Sequence, residues 1–198
     1  MSALTGTWSE LIYANTSPGL TQASFTTEQP FNTAATMGLQ ASLPAGFFLS
    51  NQTMVGNGIK ILARGILAST ATPTYTFTCR GGSANSIAGP IIAGSGAIST
   101  ISGATTSVWE FEADVFVKTA GAGPPGTGNT TLFGFGKVAS NGLLGTANCS
   151  VWGGGSSPGT LTSFDPTITN YINFNIACSA SSASNTITLE QLLIFGLN

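Results

Sequence analysis

The chain has 198 residues, of which 42% are hydrophobic, 6% are charged and none is histidine, and its formal net charge is −2. This length favours one domain with a sizeable core, and the lack of histidine excludes a His-based triad or imidazole acid–base chemistry within the chain. Five Lys and Arg residues do not line a nucleic-acid groove and no apolar run spans a membrane, so neither partner is expected.

The leading segment, residues 1–40, shows few regular alternations, and Pro18 and Pro30 interrupt it. We predict an extended or irregular N-terminal arm that lies across a neighbouring subunit. An alternative is that Phe25 and Phe31 anchor an edge strand of the main fold. Both phenylalanines are therefore candidate interface residues.

From residue 41 onward, β-branched and aromatic residues alternate with polar ones, and Gly, Ser and Asn recur about every ten residues. Two early strands have clean inward rows, which consist of Ile59, Ile61 and Ala63, then Tyr75, Phe77 and Cys79. We expect these two strands to form a hairpin around 71–73. The pattern of residues 41–198 predicts an all-β domain, a two-sheet antiparallel β-sandwich of jelly-roll type.

The segment SVWEFEADVFVKT gives the strongest strand pattern, with Trp109 heading an inward apolar row. Glu110, Glu112 and Asp114 alternate on its other face. We interpret these carboxylates as partners of cations on neighbouring strands. The alternatives are a calcium site and a carboxylate pair that flanks a glycosidic bond.

Three cations on the polar faces of predicted strands, Lys60, Arg64 and Arg80, are unusual in a chain with so few charges. Cross-strand ion pairs are the first interpretation, and a contact with another subunit or a capsid is the alternative. Trp152, beside a run of glycines, is the candidate surface aromatic. No catalytic, metal or cofactor motif emerges, so no cofactor is expected.

Two further strands complete the pattern. In NYINFNIAC, Ile172 and Phe174 are predicted to point inward, with Asn173 and Asn175 outward. The closing strand ends in the almost fully apolar LLIFGL, which favours a place inside a sheet or under a subunit contact. Its candidate interface residues are Leu192, Leu193, Phe195 and Leu197.

The order of these segments resembles a family of small virion structural proteins of tailed bacteriophages. The resemblance rests on LPAGFF, TPTYTFTCR, VWEFEADVFVKT and the closing SASSASNTITLEQLLIFGLN, and it covers roughly residues 43–198. It implies a jelly-roll β-sandwich that is a virion component, with no catalytic motif to transfer.

We therefore expect a non-enzymatic bacteriophage structural protein located in the virion. A head decoration protein is the favoured form, assembled as a homotrimer through symmetric contacts and bound to the major capsid protein or other virion proteins. The alternative is a tail-associated receptor- or carbohydrate-binding module, with a host surface glycan as its partner.

Overall fold

The computed structural model describes residues 9–15, 21–32, 41–49, 57–119, 130–142, 149–153 and 160–197, with the backbone alone at 49, 149–153 and 160–163. Within these ranges, no helix is long and apolar enough to cross a membrane. The described elements are β1 (Ser9–Asn15), β2 (Thr21–Ala23), β3 (Gln29–Pro30), β4 (Ser42–Leu43), a 3₁₀ turn (Phe47–Leu49), β5 (Gly58–Ala68), β6 (Thr74–Gly82), β7 (Ile91–Ser99), β8 (Ser107–Thr119), β9 (Thr130–Ser140), β10 (Cys149–Gly153), β11 (Thr160–Phe164), β12 (Asn170–Cys178) and β13 (Thr186–Leu197).

The strands form two antiparallel sheets. In the larger sheet, β13, β5, β8 and β9 lie side by side, with β1 and β2 in tandem along β13 and β10 and β11 along β9. In the smaller sheet, β12, β6 and β7 are neighbours, and β3 and β4 lie in tandem along β12. The predicted two-sheet antiparallel β-sandwich is confirmed.

The two sheets bury their apolar rows against each other. The predicted inward residues of β5, β6, β8 and β12 are all buried. A shift of the strand pairing by one residue would turn each of these rows towards solvent, so the buried rows specify the register. At the centre, Phe77 lies 5.1 Å from Trp109, and Phe31 lies 5.8 Å from Phe174, between ring centroids. Aromatic contacts of this kind fix how the sheets are aligned.

The predicted hairpin around 71–73 is wrong. Strand β5 pairs with β13 and β8, whereas β6 pairs with β12 and β7, so the connection crosses from one sheet to the other. Thr100 holds this crossing through its backbone N–H and its hydroxyl, which both donate to the Pro73 carbonyl. Alternation identifies the inward row of each strand, but it does not say whether two such rows lie in one sheet or face each other.

The described parts of the leading segment are extended, and their expected contact with a neighbouring subunit stays a prediction. Strands β1 and β2 pair with β13 of the same chain, and β3 pairs with β12. Phe25 and Phe31 are buried in the chain's own core. The alternative interpretation, in which both anchor an edge of the main fold, fits these positions.

One side chain completes the outer edge of β12. Between β3 and β4, the Asn32 amide donates to the Ile172 carbonyl at 2.8 Å and accepts from the Phe174 N–H at 2.6 Å. Asn32 therefore supplies the hydrogen bonds that a strand backbone would supply there.

Candidate functional site

The outer face of the larger sheet brings together five of the ten predicted site residues, namely Leu193, Phe195, Leu197, Lys60 and Arg64. It consists of the outward-facing side chains of β1, β13, β5, β8 and β9. Apolar side chains lie at its β1–β13 margin, ion pairs run across β5 and β8, and a groove follows β8 and β9.

The apolar strip consists of Leu11, Leu193, Phe195 and Leu197. Leu11 on β1 is 50% exposed and lies opposite Phe195 on β13, while Leu193 lies opposite Leu62 on β5. The last three members of the strip are half-buried. Three of the predicted interface residues thus share one face.

Three other predicted interface residues do not belong to this face. Leu192 points into the core and is fully buried, because it lies on the opposite side of β13 from Leu193. Phe25 and Phe31 are also buried within the chain. The structure removes these three side chains from the predicted contact surface.

The ion pairs follow the predicted cross-strand interpretation for two of the three cations. Lys60 Nζ lies 2.7 Å from Glu112 Oε1, and Arg64 Nε lies 2.7 Å from Glu110 Oε2. Lys137 on β9 also pairs with Glu112, at 3.0 Å. Hydrogen bonds from Lys60 and Lys137 lower the pKa of Glu112, and the bond to Glu112 raises the pKa of Lys60.

Asp114 is less well compensated than Glu112. Its Oδ1 is buried without a hydrogen-bond partner, and the nearest ammonium, Lys60 Nζ, is 3.6 Å away. Burial raises the pKa of Asp114, and the charge of Glu112 adds to this rise against the attraction of Lys60. Among the described residues, no cluster of carboxylates and thiols suits a metal ion.

Arg80 lies on the other sheet and pairs with a residue that the sequence analysis did not single out. Its guanidinium donates two hydrogen bonds to the Glu28 carboxylate, at 2.8 and 2.6 Å, and a third to the Gly89 carbonyl at 2.7 Å. Glu28 also accepts from the Thr78 hydroxyl. No local sequence pattern links Glu28 to β6, since the contact depends on how the segment before β3 packs.

The two asparagines that were predicted to point outward, Asn173 and Asn175, lie on the same outer face of the smaller sheet as Arg80. Asn173 and Asn175 do point away from the core, but both are buried, and Asn173 donates to Asn85. Their predicted outward direction is confirmed, and their burial comes from chain segments that pack over the outer face of the smaller sheet, among them the one that carries Asn85.

The groove along β8 and β9, termed the β8–β9 groove, has two adjoining recesses. One, of about 800 Å³, is lined by residues that include Arg64, Ile66, Val108, Glu110, Ala139 and Glu190. The other, of about 250 Å³, is lined by Glu112, Asp114, Phe135, Gly136 and Lys137. The recesses meet where the cross-strand pair Glu110–Ala139 is followed by Glu112–Lys137.

Phe135 is the groove residue that the sequence analysis did not propose as a site. Its ring is 42% exposed and stacks on Phe116, with centroids 5.9 Å apart. Leu132 points inward, and the period-two alternation of a strand therefore places Phe135 on the outer face, so this position could be predicted from the sequence. Trp152, the predicted surface aromatic, lies in β10, whose side chains are outside the described part of the structure.

No protein-family model and no curated protein matches this chain. Among solved structures, it is similar to a legume lectin-like domain from Entamoeba histolytica, with 9% identity over 96% of this chain and 88% of that one. The TM-score of 0.29 is too low to carry an argument. The fold therefore rests on the strand pairing described above.

Proposed function

We propose that this chain is a non-enzymatic structural protein of a bacteriophage virion, a head decoration protein that assembles with copies of itself and attaches to the major capsid protein. The observation that carries the proposal is the apolar strip at the β1–β13 margin. Leu11 alone leaves half of its surface in water, and three further apolar side chains adjoin it. The phage assignment is supported by the resemblance of residues 43–198.

A second copy of this chain is the occupant that suits the strip. The strip contains no charged residue, and the neighbouring cations Lys60 and Arg64 are already paired within the chain. Two strips brought together therefore bury apolar surface without leaving a charge unpaired. Two strips that contact each other form a twofold pair, whereas the homotrimer expected from the sequence requires the strip of one copy to contact a different surface of the next copy.

The native mass of the purified full chain tests this contact. We expect an oligomer that Leu11→Glu converts to a monomer, because the new carboxylate would be buried against apolar surface. Ile168→Glu, at a comparably apolar and exposed site outside the sheet, should leave the oligomer intact. A wild-type monomer at all concentrations, or equal effects of both variants, would contradict the proposed contact.

Virion membership is tested by mass spectrometry of gradient-purified particles of a phage that encodes the chain. Peptides of this chain should band with the capsids. Their absence from particles, or their presence on detached tails alone, would contradict a head decoration role.

A further inference from the structure

The β8–β9 groove is long, open and separate from the apolar strip. On β8 its outward row runs from Val108 to Asp114, a span of seven residues that rises about 20 Å along the strand. The groove and the strip share no residue, since the larger recess reaches Arg64 on β5 and Glu190 on β13, whereas the strip lies along β1 and residues 193–197 of β13. A ligand in the groove can therefore be held while the strip contacts another subunit.

The charges in the groove nearly cancel. Three cations, Lys60, Arg64 and Lys137, are paired with Glu110, Glu112 and Asp114, and Glu190 adds one negative charge at the rim. A polyanion has no surplus of positive charge to bind. A protein surface laid over the groove would have to desolvate all of these ion pairs, which costs more than a small hydrated ligand would.

The side chains of the groove combine apolar surfaces with hydrogen-bonding groups, a combination that suits sugar rings. Phe135 presents an exposed ring at one end, and Val108, 60% exposed, supplies an apolar surface at the other. Between them, carboxylates accept and ammonium and guanidinium groups donate hydrogen bonds. Sugar hydroxyls both donate and accept, while the C–H face of a sugar ring packs on an aromatic side chain.

We infer that the β8–β9 groove binds an uncharged, linear oligosaccharide, with Phe135 packing on a sugar ring and Arg64, Glu112 and Asp114 hydrogen-bonding to hydroxyls. This site goes beyond the proposed structural role, and gives the particle a contact with a polysaccharide. The volume of the larger recess and its apolar lining accommodate more than one sugar unit.

Saturation-transfer NMR and calorimetry with the full chain test the inference. The probes are the hexasaccharides of cellulose, starch, xylan, mannan and chitin, with a heparin hexasaccharide as the anionic comparison. We expect at least one neutral probe to bind and the anionic probe not to bind. Phe135→Ala should weaken that binding at least tenfold, and Asp114→Asn provides a second variant that should preserve the fold.

The matched control is Ile87→Ala, which removes a side chain that is 43% exposed on a loop outside the larger sheet. It should leave binding unchanged. Failure of all neutral probes, preference for the anionic probe, or an equal loss in Ile87→Ala would overturn the inference. If Phe135→Ala dissociates the oligomer and no probe binds, the groove is a subunit interface and the inference is again overturned. The assembly proposal is tested separately, by Leu11→Glu.

Discussion

At the scale of single residues, most of the few charged side chains of this chain form specific ion pairs. The Glu28–Arg80 pair fastens the segment before β3 to the outer face of the smaller sheet. Burial alone would raise the pKa of Glu28, but hydrogen bonds from Arg80, Thr78 and Asn175 and the charge of Arg80 hold it below its ordinary value. The contacts with Arg80, Thr78 and Asn175 therefore stabilise the charged form of Glu28 by more than burial destabilises it.

Glu28→Gln should therefore lower the free energy of unfolding by about 2 kcal/mol at neutral pH, the range for hydrogen bonds to charged groups. Urea denaturation measures this loss. The control is Glu10→Gln, since Glu10 is exposed on β1 and should change stability little. Equal stabilities of the two variants would contradict the role assigned to the pair.

Glu112 and Asp114 occupy the same face of β8 but should respond oppositely to loss of charge. Glu112→Gln should destabilise the fold by about 1 kcal/mol, because it breaks contacts with two ammonium groups. Asp114→Asn should leave stability unchanged or raise it at neutral pH, since burial disfavours its charged form. Thermal unfolding of both variants checks this, and a larger loss in Asp114→Asn would contradict it.

At the scale of elements, the outer edge of β12 depends on Asn32. Asn32→Leu keeps a similar volume but leaves the Ile172 carbonyl and the Phe174 N–H without their partner, at a cost of about 1–3 kcal/mol for each group. Gln29→Leu is the control, because the Gln29 side-chain amide donates to the Thr27 hydroxyl at the exposed surface. Chemical denaturation of the two variants gives the comparison, and similar losses would contradict the edge-completing role.

The contact of β5 with β13 demands a glycine at position 65. A Cβ there would lie 1.8 Å from the Thr188 carbonyl oxygen and 2.7 Å from Trp109 Cζ2. Gly65→Ala should cost about 3 kcal/mol, because backbone must move beside the register shift between Leu189 and Gln191. At Gly82 the nearest atom to such a Cβ is 3.6 Å away, so Gly82→Ala should be mild. Thermal unfolding distinguishes them, and equal shifts in Tm would contradict the steric argument.

At the scale of the whole molecule, we expect the free energy of unfolding to change with pH mainly in the acid range, where the carboxylates titrate. Glu28 and Glu112 have lowered pKa values, so their stabilisation is present above their ordinary value of 4.5 and is lost as pH falls through the folded values. Asp114, with a raised pKa, opposes this trend. With no histidine in the chain, stability should stay flat from about pH 6 to 8. A titration step within that range in urea-unfolding measurements would contradict this expectation.

The sequence contained enough to predict the fold class and the inward row of each long strand. Alternation placed Phe77 and Phe174 correctly because one buried face dictates it. It did not show that β5 and β6 lie in different sheets, nor that Asn173 is covered, because both depend on contacts between distant segments. Within the candidate site, the pairing of Lys60 and Arg64 was predicted, whereas the groove beside Phe135 arises only when β8 and β9 are placed in register.

The position of β13 between β1 and β5 constrains the order in which the molecule forms during synthesis. This strand is the last of those described along the chain, yet it lies between β1 and β5 and pairs with both. While the ribosome is still making it, β5 has an open edge and β1 has no partner in the sheet. The larger sheet therefore cannot close until β13 has been synthesised, and this long-range step is intrinsically slow and leaves strand edges open to aggregation.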